Sequence, residues 1–254
     1  MNNIIEFCKK RLEPDKAYEA YKGKHFDALR SLADAPSEPH PTKLGKFSAK
    51  VSKNNLGETA FQRALFKARK AVLNLDGAEE QITWKDLELP VVFSVRSRRP
   101  CIDLIGHSGR FGSFLCELKY ERKEAGGQGN LPDYAILQAL LYYGVVERDH
   151  TMLDKHRVYR GNRRKFYWKD VSQSKTLMVL GNCNVWNKAC QQENRKRITT
   201  LITDIHESLG IKLLFCCLRD DSFVGAVKDG RYEPKFDLPK GLKFPRLKMV
   251  DLTT

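Results

Sequence analysis

No unbroken apolar run in these 254 residues approaches the length of a bilayer-spanning helix, which excludes a helical membrane protein. No Cys-x-x-Cys pair occurs either, so the paired spacing of a zinc site is missing. The 7 cysteines (Cys8, Cys101, Cys116, Cys183, Cys190, Cys216 and Cys217) are odd in number, and several sit in apolar runs such as 213–218. They read as small buried hydrophobes of a reducing compartment. The 6 histidines are scattered without ligand spacing. The opening stretch MNNIIEFCKKRLEPDK lacks a basic leader followed by an apolar segment and a small-residue cleavage site. The chain therefore reads as intracellular and cytoplasmic, with association with a nucleoid left open. Acid is the scarcer charge: 45 Lys and Arg against 31 Asp and Glu give a formal net charge of +14. Such an excess attracts polyanions. An acidic membrane surface would call for a basic amphipathic helix, and no convincing one is present. Nucleic acid is the expected partner. Hydrophobic residues at 41% supply enough material for a core, so wholesale disorder is excluded.

Residues 1–35 carry apolar positions at roughly helical spacing, broken at Pro14 and Gly23, and 36–56 reads as a basic, proline-containing linker. From Gly57 the pattern tightens. Residues 58–73 place Phe61, Leu65, Ala68 and Val72 on one helical face. Strands are expected at about 90–96, 101–106 and 113–120, the last two joined by the glycine-containing loop HSGRFG. Pro132 opens a strong helix, followed by a basic loop over 155–170, a strand at 176–182, a helix at about 190–208 and a strand at 211–218. Three strands in a meander, then two reached through helical crossovers, predict a mixed central sheet flanked by helices, an α/β fold.

The chemistry-bearing candidates are Asp103, Glu117 and Lys119. Residues two apart on a strand share a face, so Glu117 and Lys119 project together while Cys116 and Leu118 face the other layer. A hairpin centred near Arg110 sets Asp103 opposite Glu117. Two neighbouring carboxylates repel, which raises the pKa of at least one, and a divalent cation relieves that repulsion. Mg²⁺ suits two carboxylates plus a phosphate oxygen. Such a cation polarises a phosphoryl group and acidifies a bound water. Lys119 then orients that water or stabilises charge on the pentacovalent phosphate.

These segments, CIDLIG and FLCELKY, resemble the PD-(D/E)xK nuclease superfamily, with Asp103, Glu117 and Lys119 at its motif positions. The family's motif proline falls at position 102, where this chain has Ile102. Gln138 and Tyr142 on the following helix are similar to the Q-xxx-Y motif of the RecB-type branch, whose glutamine lies beside the active site. The resemblance implies a restriction-endonuclease-like αβββαβ core over 57–218. The N-terminal helical extension and linker (1–56) would precede it, and a basic tail (219–254) would pack on it. It also implies a DNA-cleaving enzyme dependent on Mg²⁺ or Mn²⁺, cutting internally or from ends. Glu58 stands where many members have an acid that assists metal binding, although an acid in a first helical turn also favours the helix dipole.

The segment 155–169 contains no acidic residue. It interleaves Arg157, Arg160, Arg163, Arg164 and Lys165 with Tyr159, Phe166, Tyr167 and Trp168. Cations neutralise phosphates and aromatic faces stack on bases, so this loop is expected to grip nucleic acid. Arg96, Arg98 and Arg99 form a second basic cluster, and Lys240, Lys243, Arg246 and Lys248 extend the charge. Two other readings stay open: a non-catalytic nucleic-acid-binding module on the same scaffold, and the same hydrolysis on RNA. Residues 1–56 are candidates for self-association or a protein partner.

Overall fold

The computed structural model describes residues 3–11, 51–52, 57–90, 101–121, 132–156, 166–218, 223–224, 227–228, 231–232 and 234–252. Helix α1 (Asn3–Arg11) buries Ile4, Ile5 and Cys8. Helix α2 (Glu58–Ala68) buries Phe61, Ala64 and Leu65. It stops where Arg69 adopts a left-handed φ of 61°, so the expected continuation to residue 73 does not form. Instead the chain enters β1 (Lys70–Leu75), turns at Asp76-Gly77, and returns as β2 (Ala78–Pro90). Gly77 takes φ 87°, the region a tight hairpin demands and a side chain resists. The strand expected at about 90–96 lies outside the described residues except for Pro90, the last residue of β2.

The strands of the site come next, β3 (Cys101–Ser108) and β4 (Gly112–Lys119). Then follow α3 (Pro132–His156), α4 (Trp168–Ser174), β5 (Thr176–Asn182), α5 (Cys183–Ala189), α6 (Gln192–Leu209), β6 (Lys212–Leu218) and β7 (Arg246–Met249). The helix opened by Pro132 and the strand at 176–182 are where the sequence pattern puts them. Small two-residue ladders join Val51–Ser52 to Arg231–Tyr232 and Lys235–Phe236 to Phe223–Val224.

The sheet differs in kind from the expected open α/β layer. Its order is β7-β1-β2-β3-β4-β5-β6, and β7 pairs parallel to β1 and antiparallel to β6, closing a seven-stranded barrel. A restriction-endonuclease-like sheet with two free edges is thereby ruled out. The physical reason is the tail. Without residues 246–249, β1 and β6 would be the two edges; with them, each edge finds a partner. The body of the fold therefore does not end at 218, since its closing strand comes from 219–254.

Closure produces two apolar layers. The inner one draws residues from all seven strands, among them Leu73, Ile82, Leu104, Phe114, Met178, Cys216 and Leu247, and α2 packs against it through Phe61 and Leu65. The outer one lies between α3 and the outward residues Ile105, Leu115, Leu177, Val179 and Phe215, with α1 resting on α3. Among the described residues no helix is long and apolar enough to cross a membrane.

Candidate active site

The β3–β4 register runs from Ser108 opposite Gly112 to Leu104 opposite Cys116, and one further step sets Asp103 opposite Glu117. Cys116 and Leu118 belong to the inner layer. Glu117 and Lys119 take the alternate face and are only 1% and 5% exposed. The Lys119 ammonium donates to Glu117 Oε1 at 2.8 Å, while Glu117 Oε2 is buried with no hydrogen-bond donor. Asp103 is held from two sides. Its Oδ2 accepts the Leu118 backbone N–H at 2.8 Å. From α2, Gln62 Nε2 donates to the Asp103 carbonyl oxygen at 2.9 Å and to Oδ1 at 3.3 Å.

The electrostatics follow from this crowding. Burial pushes the Asp103 carboxyl well up, and the Glu117 charge pushes it further against the opposing pull of Lys119. Burial likewise raises Glu117, with the Lys119 ammonium opposing. For Lys119 burial disfavours the charge, but Glu117, Glu58 and Asp103 together outweigh it and hold the ammonium protonated. The site thus carries more acid than one lysine balances, which is the condition a divalent cation would relieve.

Helix α3 supplies a roof. Tyr134, Gln138 and Tyr142 recur every fourth residue and so share one face. Tyr142 is buried and hydrogen-bonded to Gln138, and its hydroxyl feels first its own burial and then the charges of Glu117 and Asp103. At 2% exposed it has no face to offer nucleic acid, and its role in this structure is to hold Gln138. Tyr134, half-buried, lies in the field of Lys119, Glu117 and Glu58. Glu58, in the first turn of α2, reaches Asp103, Glu117 and Lys119 electrostatically.

Sequence reasoning missed Gln62 and Tyr134. A signal existed for each: Gln62 is one turn beyond Glu58, and Tyr134 one turn before Gln138.

The acids do not assemble as a full ligand cage. Among the described residues no group of three or more His, Cys, Asp or Glu side chains is placed to hold a metal ion, so the expected set Asp103, Glu117 and Glu58 is not a ligand cluster. The Asp103–Glu117 pair alone still suits Mg²⁺, which is commonly held by one or two carboxylates with water and phosphate completing its shell. The orphaned Glu117 Oε2 is the atom that fits a cation, because a buried acceptor without a donor is costly.

The expected nucleic-acid contacts are mostly beyond view. Arg96, Arg98, Arg99, Arg157, Arg160, Arg163, Arg164 and Lys165 lie outside the described residues. Trp168 is a correction: it is 3% exposed, packed edge-to-face on Phe166 at 5.1 Å, and its N–H is capped by Asp154. It belongs to the outer core layer and anchors the base of the basic segment. Among the described residues of this segment, Tyr167 is an exposed aromatic, at 46%. Arg246 pairs with Glu79 at 2.8 Å.

Two measurements probe this arrangement. Gln62→Leu leaves two Asp103 oxygens short of a donor and is expected to lower stability by about 1–3 kcal/mol in urea unfolding. The second uses pH. The folded protein keeps protons on its raised acids that the unfolded chain releases from about pH 4 upward, so this pair lowers stability as pH climbs through that range. In EDTA, Asp103→Asn is expected to melt above the unsubstituted protein at pH 7, with the gain shrinking towards pH 4. Adding Mg²⁺ should reverse the order.

Family models, curated proteins and solved structures were all compared with this chain, and none matches it.

Proposed function

We propose that the protein is a Mg²⁺- or Mn²⁺-dependent nuclease that hydrolyses DNA phosphodiester bonds, related to the PD-(D/E)xK nucleases through its motif residues. The observation that carries this reading is the buried Glu117 carboxylate. One of its oxygens is tied to Lys119, the other has no donor, and Asp103 faces it across the hairpin.

Asp103 and Glu117 would hold the cation, which supplies Lewis-acid charge to the phosphate. Gln62 and the Leu118 N–H fix the rotamer of Asp103, so its carboxylate needs little reorganisation. Lys119, kept charged by its acidic neighbours, offers a proton donor and a positive charge to the oxygens of the reacting phosphate. Gln138, braced by Tyr142, would position the attacking water or the strand. The overall excess of base, +14, draws the polyanion in.

A gel series tests the reading. Supercoiled plasmid, linear duplex, single-stranded DNA and RNA are incubated with the protein in EDTA, Mg²⁺ or Mn²⁺. Cleavage that needs the metal and acts on DNA is expected. Nicked plasmid would identify internal cutting, and shortening from ends an exonuclease. Salt-sensitive binding without turnover on any substrate would favour the second reading, a non-catalytic binding module. The lack of a three-acid cluster among the described residues is the observation on its side.

A further inference from the structure

Outside the site, one pair of reactive groups stands together. Cys183 Sγ lies 3.3 Å from Cys217 Sγ, and both thiols also approach the Leu218 carbonyl oxygen. The fold creates this meeting. Strands β5 and β6 run parallel with Gly181 beside Cys217 and Asn182 beside Leu218. The chain then breaks from the sheet into α5, whose Trp186 Nε1 donates to the Cys216 carbonyl at 2.8 Å. That bond pulls the first residue of α5, Cys183, over β6. Cys183 is exposed and Cys217 is buried, so an oxidant meets the first and finds the second directly behind it.

We propose that Cys183 and Cys217 form a thiol pair that closes reversibly to a disulfide, with Cys183 as the attacked entry point and Cys217 as the resolving thiol. The oxidant is a low-molecular-weight disulfide such as glutathione disulfide. The Cys183 thiolate attacks one of its sulfurs, the S–S bond breaks, and one glutathione thiolate leaves. Cys217, as thiolate, then attacks the Cys183 sulfur of the mixed disulfide and expels the second glutathione. Two electrons pass from the cysteines to glutathione, and the two protons given up by the cysteines end on the two glutathione thiolates. The sulfurs need to close from 3.3 Å to about 2.05 Å, a movement within reach of side-chain rotation at the end of a short surface helix. Two side chains flanking Cys183, Asn182 and Asn184, donate to the Glu121 carbonyl at 2.8 and 3.0 Å, so the bond would form beside the segment that leaves Lys119. The proposal stands whether or not the protein is a nuclease.

The test uses the full chain, equilibrated in mixtures of reduced and oxidised glutathione, trapped by alkylation and digested without reductant for peptide mass spectrometry. Expected are loss of two alkylatable thiols, a joined Cys183–Cys217 peptide pair, and full return on adding dithiothreitol. In Cys217→Ser the Cys183 glutathione adduct should persist, and in Cys183→Ser Cys217 should stay reduced. Cys217→Ala gives the same readout if a hydroxyl disturbs the core. The proposal is overturned if the unsubstituted protein stops at the Cys183–glutathione adduct with Cys217 alkylatable. A cross-link involving Cys190, or a Cys183 that stays reduced throughout, overturns it equally.

Discussion

Lys119→Met should cut metal-dependent DNA cleavage by about 10²–10³-fold or more while leaving DNA affinity nearly unchanged. Lys119 is bonded to Glu117 at 2.8 Å, and the acids around it keep it protonated. Its loss removes the positive charge nearest to where a phosphate would gain negative charge. Affinity survives because it comes chiefly from phosphate contacts spread over a basic surface. Stability has to be separated from chemistry here. Removing one partner of a buried ion pair costs about 3–5 kcal/mol when the other charge stays behind. Burial already raises the Glu117 pKa and Lys119 opposes that rise, so without Lys119 the carboxyl takes up a proton more readily and softens that cost. A thermal melt run beside single-turnover cleavage separates the two effects. Asp103→Ala should give the same loss of turnover. Folded Lys119→Met and Asp103→Ala proteins that cleave at the unsubstituted rate would remove this site from the mechanism.

The second large effect concerns the scaffold. Gly106→Ala is expected to destabilise the protein by about 3 kcal/mol, at the upper end of overpacking costs. That corresponds to a melting temperature lower by about 6–12 °C. Gly106 pairs with Phe114 across the β3–β4 hairpin, and a Cβ there would come within 2.5 Å of the Phe114 ring and 3.2 Å of Trp84. Phe114 is fully buried and Trp84 meets it edge-to-face, so neither ring has room to withdraw. In a closed sheet the strain cannot be shed by splaying an edge strand. Phe114→Leu in the Gly106→Ala background should restore part of the loss. A melt unchanged in Gly106→Ala would mean that the inner layer is looser than drawn.

Much of the hairpin was legible because it is local. Alternation along 113–120 separates Cys116 and Leu118 from Glu117 and Lys119, and a turn near Arg110 sets the register opposite Asp103. Gln138 and Tyr142 were legible as one helical face. What was not legible depends on distant chain segments. Residues 70–90 held a hairpin signal, Asp76-Gly77 between alternating runs, but Val72 also fits the helical spacing of α2 and disguised the first strand. The closing strand Arg246–Met249 buries Leu247 deeply and exposes most of the rest, too faint a pattern to mark a sheet member. Missing it turned a closed sheet into an open one. Trp168 looked like a base-stacking residue among arginines, because composition does not say which aromatic of a run turns inward. Gln62 reaches Asp103 across 41 positions of sequence, a contact that spacing alone cannot indicate.

The parallel partnership of β7 with β1 has a kinetic corollary. Leu73 meets Leu247, so the chain must bring together segments separated by almost the whole length of the fold before the cylinder is complete. Such distant contacts carry a large loop-closure entropy and slow the search for the native state. During synthesis β1 emerges early and waits with an unsatisfied flank, a template for mispairing until its late partner arrives.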